Sequence, residues 1–304
     1  MQTDKTYAGL ELGGTKILAA TWRSGTIVDQ ISVPTGTPDA SLPETMAWLT
    51  ARIPTNGFAG LGIASFGPIR VDPSASDYGR ILETTKPGWS GIDLVAEVVP
   101  RFACPFLVDT DVNGAALAEW HWGAARGCAS VVYLTIGTGV GGGVLIDGIP
   151  VHGRLHPELG HLRLRRAQGD TFAGSCSFHG DCIEGLISGP ALAARLGRDP
   201  REVPHTDAVW DRAANDLAEL LGAIILALSP QRILVGGGVG LGQPHLREAA
   251  VRRVSALLGH YLRDFDEAAL AGIVVAPALG AQAGPLGAIA LALNAADQRR
   301  APDR

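Results

Sequence analysis

The sequence predicts an α/β protein made of two similar halves, and three observations carry this. Short apolar strands alternate with helical stretches along all 304 residues. Two strand–turn–strand units, Leu12-Gly13-Gly14-Thr15 and Ile136-Gly137-Thr138-Gly139, lie 124 residues apart. Glycine is in excess, with 40 residues against a usual share of ~7%. Glycine at that level serves tight turns and backbone set close to a ligand. Two halves that each open with a glycine hairpin leave a cleft between them, and ligands favour clefts at domain interfaces.

The elements follow in order. Residues 7–12 alternate as a strand, turn at Gly13–Gly14, and resume as a strand over 16–21. Residues 60–64 and 106–108 read as further strands, and 114–125 as a helix with Asp111 and Asn113 as its caps. A strand over 131–136 enters a glycine turn over 137–143 and returns over 144–146. A long helix spans 213–228. The strand 232–235 ends in Gly236-Gly237-Gly238, and a strand at 273–276 and a helix at 286–296 close the chain. The expected boundary lies near residue 112: a small domain over 1–112, a larger one over 113–285, and a last segment, 286–304, returning to the first.

Composition narrows the function. An apolar share of 46% excludes disorder. With 25 basic against 30 acidic residues the net charge is −5, and no basic cluster stands out, which argues against a nucleic-acid partner. Residues 1–9 hold no apolar run, so no signal peptide is expected. Residues 268–296 carry no charge and are long enough to span a bilayer. Pro277 and Pro285, with Gly272, Gly280, Gly284 and Gly287, break that stretch into a strand, a loop and an apolar helix, so no membrane partner is expected. Four cysteines, at 104, 128, 176 and 182, are too few for a disulfide scaffold, so reduced thiols and a cytoplasmic setting are expected.

Four constellations could carry chemistry. The glycine turns, with Gly236–Gly238, could cradle a polyphosphate on backbone N–H groups, although each could also be a plain hairpin. Gly137, Gly139 and Gly142 imitate a dinucleotide fingerprint with Glu158 21 residues on, but a strand follows rather than the required helix. In Asp109-Thr110-Asp111-Val112-Asn113, at a strand end, an aspartate could accept a proton from an attacking hydroxyl; capping is the bland alternative. His161, Cys176, His179 and Cys182 form a complete tetrahedral zinc set with no open position, hence a structural one across a 161–182 loop. A Cys176–Cys182 disulfide or unrelated surface groups are the alternatives. Glu158, His161 and Glu184 suit hydrogen bonding to sugar hydroxyls, or are ordinary surface charge.

Together these residues resemble the ROK family of bacterial sugar kinases and repressors, over nearly the whole chain. Leu10-Glu11-Leu12-Gly13-Gly14-Thr15-Lys16 is similar to its first phosphate motif, and residues 133–143 to its second. The resemblance implies the two-domain actin-like (ribonuclease H-like) ATPase fold with an interdomain cleft, and a homodimer. It implies ATP contacts at Gly13, Gly14, Thr15, Lys16, Gly137, Thr138, Gly139, Gly236, Gly237 and Gly238. Asp111 matches the general base. Asn113, Glu158, His161, Glu184, Gly67 and Lys86 match hexose-contacting positions. His161, Cys176, His179 and Cys182 match the zinc ligands, and Mg²⁺ is expected with ATP.

The departures point to a branch. Glucokinase-like members carry Asn where Thr110 stands, Ala-Gly-Glu where His156-Pro157-Glu158 stands, and often a third cysteine where His179 stands. These three features, with Thr85-Lys86-Pro87-Gly88-Trp89, resemble the fructokinase branch; Thr85 replaces a usual proline. The implied activity is ATP-dependent phosphorylation of D-fructose to fructose 6-phosphate. Mannose, glucose or an N-acetylhexosamine is the alternative substrate, and a non-catalytic sugar-binding protein a remote one. Family repressors carry a helix-turn-helix before the first phosphate motif; about nine residues precede Leu10 here, so a DNA-binding role is not expected.

Overall fold

A computed structural model describes residues 5–259 and 261–298. The chain forms two compact units. The first runs up to Gly123 and takes in Pro150–His156 and the chain from Ala281 on; the second holds Ala124–Ile149 and Pro157–Gly280.

The first unit begins with β1 (Thr6–Leu12), β2 (Lys16–Arg23), β3 (Thr26–Pro34) and α1 (Pro38–Thr50). It continues with β4 (Leu61–Ser65), α2 (Leu94–Val98), β5 (Phe106–Thr110) and α3 (Asp111–Trp122). The second unit supplies β6 (Ser130–Ile136), β7 (Val140–Ile146), β8 (Ile149–Pro150), α4 (Ile183–Ile187), α5 (Gly189–Leu196) and α6 (Ala208–Leu228). It goes on through β9 (Arg232–Gly236), α7 (Gly237–Gly242), α8 (Pro244–Leu257), α9 (Glu267–Ile273) and β10 (Val274–Val275). The chain closes in the first unit with α10 (Ala283–Gln298); residues 299–304 of the expected last segment lie outside the described residues.

Each unit carries one mixed sheet, in the orders β3-β2-β1-β4-β5 and β10-β9-β6-β7-β8. Both follow one plan. A hairpin is antiparallel (β1/β2; β6/β7), and its first strand pairs in parallel with a later one (β4; β9). The duplication seen in the glycine turns therefore extends to the sheets around them. The second turn is tighter than the sequence indicates. It occupies residues 137–139, and Gly141–Gly143 lie inside β7, opposite Thr135, Leu134 and Tyr133. β3 and α1 have no counterpart in the sequence reading.

In the first unit α10 packs against α3 and against β1, β4 and β5. Its apolar residues Ala288, Ile289, Leu291, Ala292 and Ala295 are buried, which accounts for the uncharged C-terminal stretch. The approach is close because Gly287 of α10 meets Gly114 of α3 with no Cβ on either side; one added at Gly287 would stand 2.3 Å from the Gly114 carbonyl carbon. This contact fixes the helix that begins at Asp111. Among the described residues no helix is long and apolar enough to cross a membrane.

Candidate active site

The β5–α3 junction separates two aspartates by their commitments. Thr110 is the N-cap of α3: its backbone is extended, and its Oγ1 accepts from Asn113 N at 3.1 Å. The helix thus starts at Asp111, not at residue 114, and neither Asp111 nor Asn113 is its cap. Asp109 is buried and fully engaged. Its Oδ1 accepts from Thr110 N at 2.7 Å and from Asn113 Nδ2 at 2.8 Å, and its Oδ2 lies 3.0 Å from His152 Nε2. Asp111 accepts from Val112 N at 2.9 Å, within its own helical turn, and no side chain donates to it among the described residues. Burial pushes its pKa up to about 6, against the Val112 N–H and the charge of Lys86, which lower it. A half-buried carboxylate at the first helical position, free of side-chain partners, can take a proton from an approaching hydroxyl.

Lys86 is held beside this carboxylate by aromatic packing. Trp89 is fully buried, donates from Nε1 to Gly36 O at 2.9 Å, and meets Phe66 edge-on at 5.4 Å. The Lys86 ammonium lies over the Phe66 ring, 4.8 Å from its centre, a cation–π contact. Gly67 follows Phe66 directly, just past the end of β4.

The first glycine turn lies in the same unit. Gly13 N donates to Lys16 O at 3.0 Å, and Thr35 donates through Oγ1 to Gly13 O at 2.8 Å and through N to Thr15 O at 3.1 Å. With those carbonyls tied to the end of β3, Gly14, Thr15 and Lys16 remain exposed. One residue here went unforeseen. Glu11 interrupts a strand whose neighbours Leu10 and Leu12 are fully buried, and its Oε2 is buried with no hydrogen-bond partner among the described residues. Burial and then the charge of Asp111 push its pKa up to about 7, against Lys16. Hard divalent cations take oxygen ligands and relieve crowded carboxylates. Glu11 and Asp111 therefore fit Mg²⁺ brought in with a nucleotide.

In the second unit, β6 and β9 are parallel neighbours, so their ends bring Gly137–Gly139 and Gly236–Gly238 together. Gly137 N donates to Gly139 O at 2.8 Å, which closes the turn and leaves Thr138 exposed. Gly237 has φ of +80°, and a Cβ there would stand 2.4 Å from Ile136 O, so only glycine fits this junction. Glu184, at the start of α4, turns its carboxylate to this turn: Oε2 accepts from Val140 N at 3.1 Å. Glu158 precedes a single 3₁₀ turn, Leu159–His161, and its carbonyl accepts from His161 N at 3.0 Å.

The four expected metal ligands converge. One donor atom from each of His161, Cys176, His179 and Cys182 lies within 4.8 Å of the others. The two imidazoles face each other through Nδ1 at 3.3 Å, and His161 Nδ1 lies 3.8 Å from Cys176 Sγ and 3.6 Å from Cys182 Sγ. Tetrahedral zinc with nitrogen at ~2.0 Å and sulfur at ~2.3 Å requires edges of about 3.3 Å between nitrogens and about 3.6 Å from nitrogen to sulfur. The separation between the imidazoles and those from His161 to the two sulfurs match these edges to within a few tenths of an ångström. Both thiols are free, so the cysteines form no disulfide. The spacer between His161 and Cys176 is braced by buried charge: Asp170 pairs with Arg166 and Arg195, each at 2.8 Å, and Arg195 with Asp216 at 3.1 Å.

Comparison with known proteins identifies the family and the fold. The sequence matches the ROK family over residues 7–295. It is 42% identical to a fructokinase of Zymomonas mobilis, covering 97% of this chain and 99% of that one. It is 38% identical to a putative fructokinase of Bacillus subtilis, over 94% and 95% respectively. The crystal structure of a ROK hexokinase from Thermus thermophilus superposes with a TM-score of 0.75 at 26% identity, covering 96% of this chain and 99% of that one. The fold is the actin-like ATPase fold of these sugar kinases. With residues 7–295 matched by the family and its two sheets repeating one plan, the chain belongs to the ROK family.

Proposed function

We propose that this chain is an ATP-dependent fructokinase, turning D-fructose and Mg-ATP into fructose 6-phosphate and ADP. The observation that carries the reading is the contrast at the β5–α3 junction. Asp109 is spent on structure, while Asp111 stands beside Lys86 with no side-chain donor among the described residues. Asp111 takes the proton of the sugar's 6-hydroxyl as that oxygen bonds to the γ-phosphorus and ADP departs. A pKa of about 6 keeps Asp111 ionised at neutral pH and basic enough to share a proton. Mg²⁺ supplies charge neutralisation on the phosphates.

The remaining roles follow the family resemblance. Gly13, Gly14, Thr15, Lys16, Gly137, Thr138, Gly139 and Gly236–Gly238 take the nucleotide. Asn113, Glu158, His161, Glu184, Gly67 and Lys86 take the hexose. Structural zinc sits on His161, Cys176, His179 and Cys182, and orders the segment carrying Glu184. The chain works as a cytoplasmic homodimer. Fructose is favoured by similarity to the two fructokinase relatives above and by Thr110, His156 and His179.

The test of the base is Asp111→Asn. Turnover should fall about 10²- to 10⁴-fold, with sugar KM little changed. A variant that keeps near-normal kcat would remove Asp111 from the role.

A further inference from the structure

From the last residue of β8 the chain returns to the first unit for one short segment, Pro150–His156. Two histidines stitch it down. Ile69 N donates to the buried His156 Nε2 at 3.1 Å, and His152 Nε2 lies 3.0 Å from Asp109 Oδ2. The second contact reaches the junction that carries the chemistry. Asp109 has 4% of its side chain exposed, and His152 32%.

A carboxylate that deep is costly unless it is paired and fully hydrogen-bonded. Its Oδ1 has two donors, Thr110 N and the Asn113 amide. His152 serves the other oxygen. The pairing raises the pKa of His152 through the hydrogen bond to Asp109, against the desolvation that lowers it. The imidazole, the carboxylate and the amide form one chain that ends at the third residue of α3, two positions after Asp111.

We infer that His152 is a positioning residue for phosphoryl transfer: through Asp109 it fixes the Asn113 amide and the first turn of α3. This rests on the kinase reading, in which Asn113 meets the sugar. His152 itself touches neither substrate nor phosphate in this role. Its effect should fall on the sugar side and leave the nucleotide side alone.

The experiment is a double-mutant cycle with an activity-independent readout. A hydrogen bond to a charged group is worth about 1.5–3 kcal/mol, so His152→Ala should raise sugar KM roughly ten- to a hundredfold. The KM for ATP should stay as in the wild type. His152→Gln, which keeps an N–H donor at that reach, should recover most of the loss. In the Asp109→Asn background, adding His152→Ala should cost little more. Additive losses, parallel rises in both KM values, or no rescue by glutamine would overturn the inference. By NMR, His152 should titrate above the ordinary ~6.5 and drop in Asp109→Asn, and the Asn113 side-chain amide signal should shift in His152→Ala. Signals that stay put overturn it whatever the activity. A wild-type protein that phosphorylates no sugar instead refutes the kinase reading, while the NMR result still decides the pairing.

Discussion

Replacing Gly287 by Ala sets two effects against each other, and their magnitudes decide the sign. In a helix interior, Gly→Ala gains ~1 kcal/mol of propensity. At Gly287 the new methyl would stand 2.3 Å from the Gly114 carbonyl carbon, 2.5 Å from its oxygen and 2.8 Å from Ala115 N. All three are backbone atoms, so no flexible side chain can swing aside. Relief requires α10 and α3 to part by about 1 Å, and overpacking of this kind costs ~1–3 kcal/mol or more. Parting also pulls α10 from β4, where a Cβ on Gly62 would stand 1.9 Å from Ala288 O. That loses dispersion contacts along the whole seam. The net expectation is a loss of about 2 kcal/mol. Urea unfolding measures it, with Gly222→Ala as control: Gly222 lies in α6 with nothing within 4 Å of its added Cβ, so that variant should gain stability. Because α3 begins at Asp111, Gly287→Ala should also lower kcat in the folded fraction. A Gly287→Ala protein as stable as the control would refute the packing argument.

Three further outcomes are expected. With Asp111 at about 6, kcat/KM should fall tenfold per unit as pH drops below that value, and Lys86→Met should move this limb to higher pH by removing an opposing charge. The stability of the unliganded protein should show the opposite slope. Glu11 is raised from 4.5 to about 7 and Asp111 from 3.8 to about 6, so the folded state holds protons the unfolded state has lost, and stability declines as pH rises through that window. Glu11→Gln should flatten this decline, as urea unfolding at pH 5 and pH 8 would register; an unchanged slope counts against a buried, unpartnered Glu11. Finally, metal analysis should find about one zinc per chain, and Cys176→Ser should lose both the metal and sugar binding. Metal-free protein with sugar affinity intact would remove zinc from the site.

Much of the fold was legible because it rests on periodicity and turns. β1, β2, β6 and β9 alternate or run apolar between glycines, and α6 repeats at helical spacing. The misses have physical causes. β3 is a mostly exposed edge strand in which Asp29 and Gln30 break the apolar alternation, and α1 carries Pro43 in its interior, so neither shows a clean period. Gly141–Gly143 read as turn, but they pair with β6 inside β7, and glycine stands at 142 because Leu159 occupies the space a Cβ would fill. The α3 start was misplaced because Asp and Asn are good caps and Gly114 a poor helix former; Thr110 holds the cap instead. The convergence of His161, Cys176, His179 and Cys182 was visible from spacing, and the place of Asp111 at a strand end from its position. Glu11 left one signal, a charge inside an otherwise apolar strand. His152 left none: its partner Asp109 is 43 residues away, and no local pattern links them.

Fructose phosphorylation itself is most directly tested by ADP release from the purified protein with Mg-ATP and fructose, mannose, glucose or N-acetylated hexosamines. The highest kcat/KM is expected on fructose, with formation of fructose 6-phosphate slowed about 10²- to 10⁴-fold in Asp111→Asn. A higher kcat/KM on another hexose would leave the kinase chemistry standing and strip Thr110, His156 and His179 of their bearing on the substrate. No ADP from any of these sugars, in protein that carries its zinc, would contradict the assignment outright.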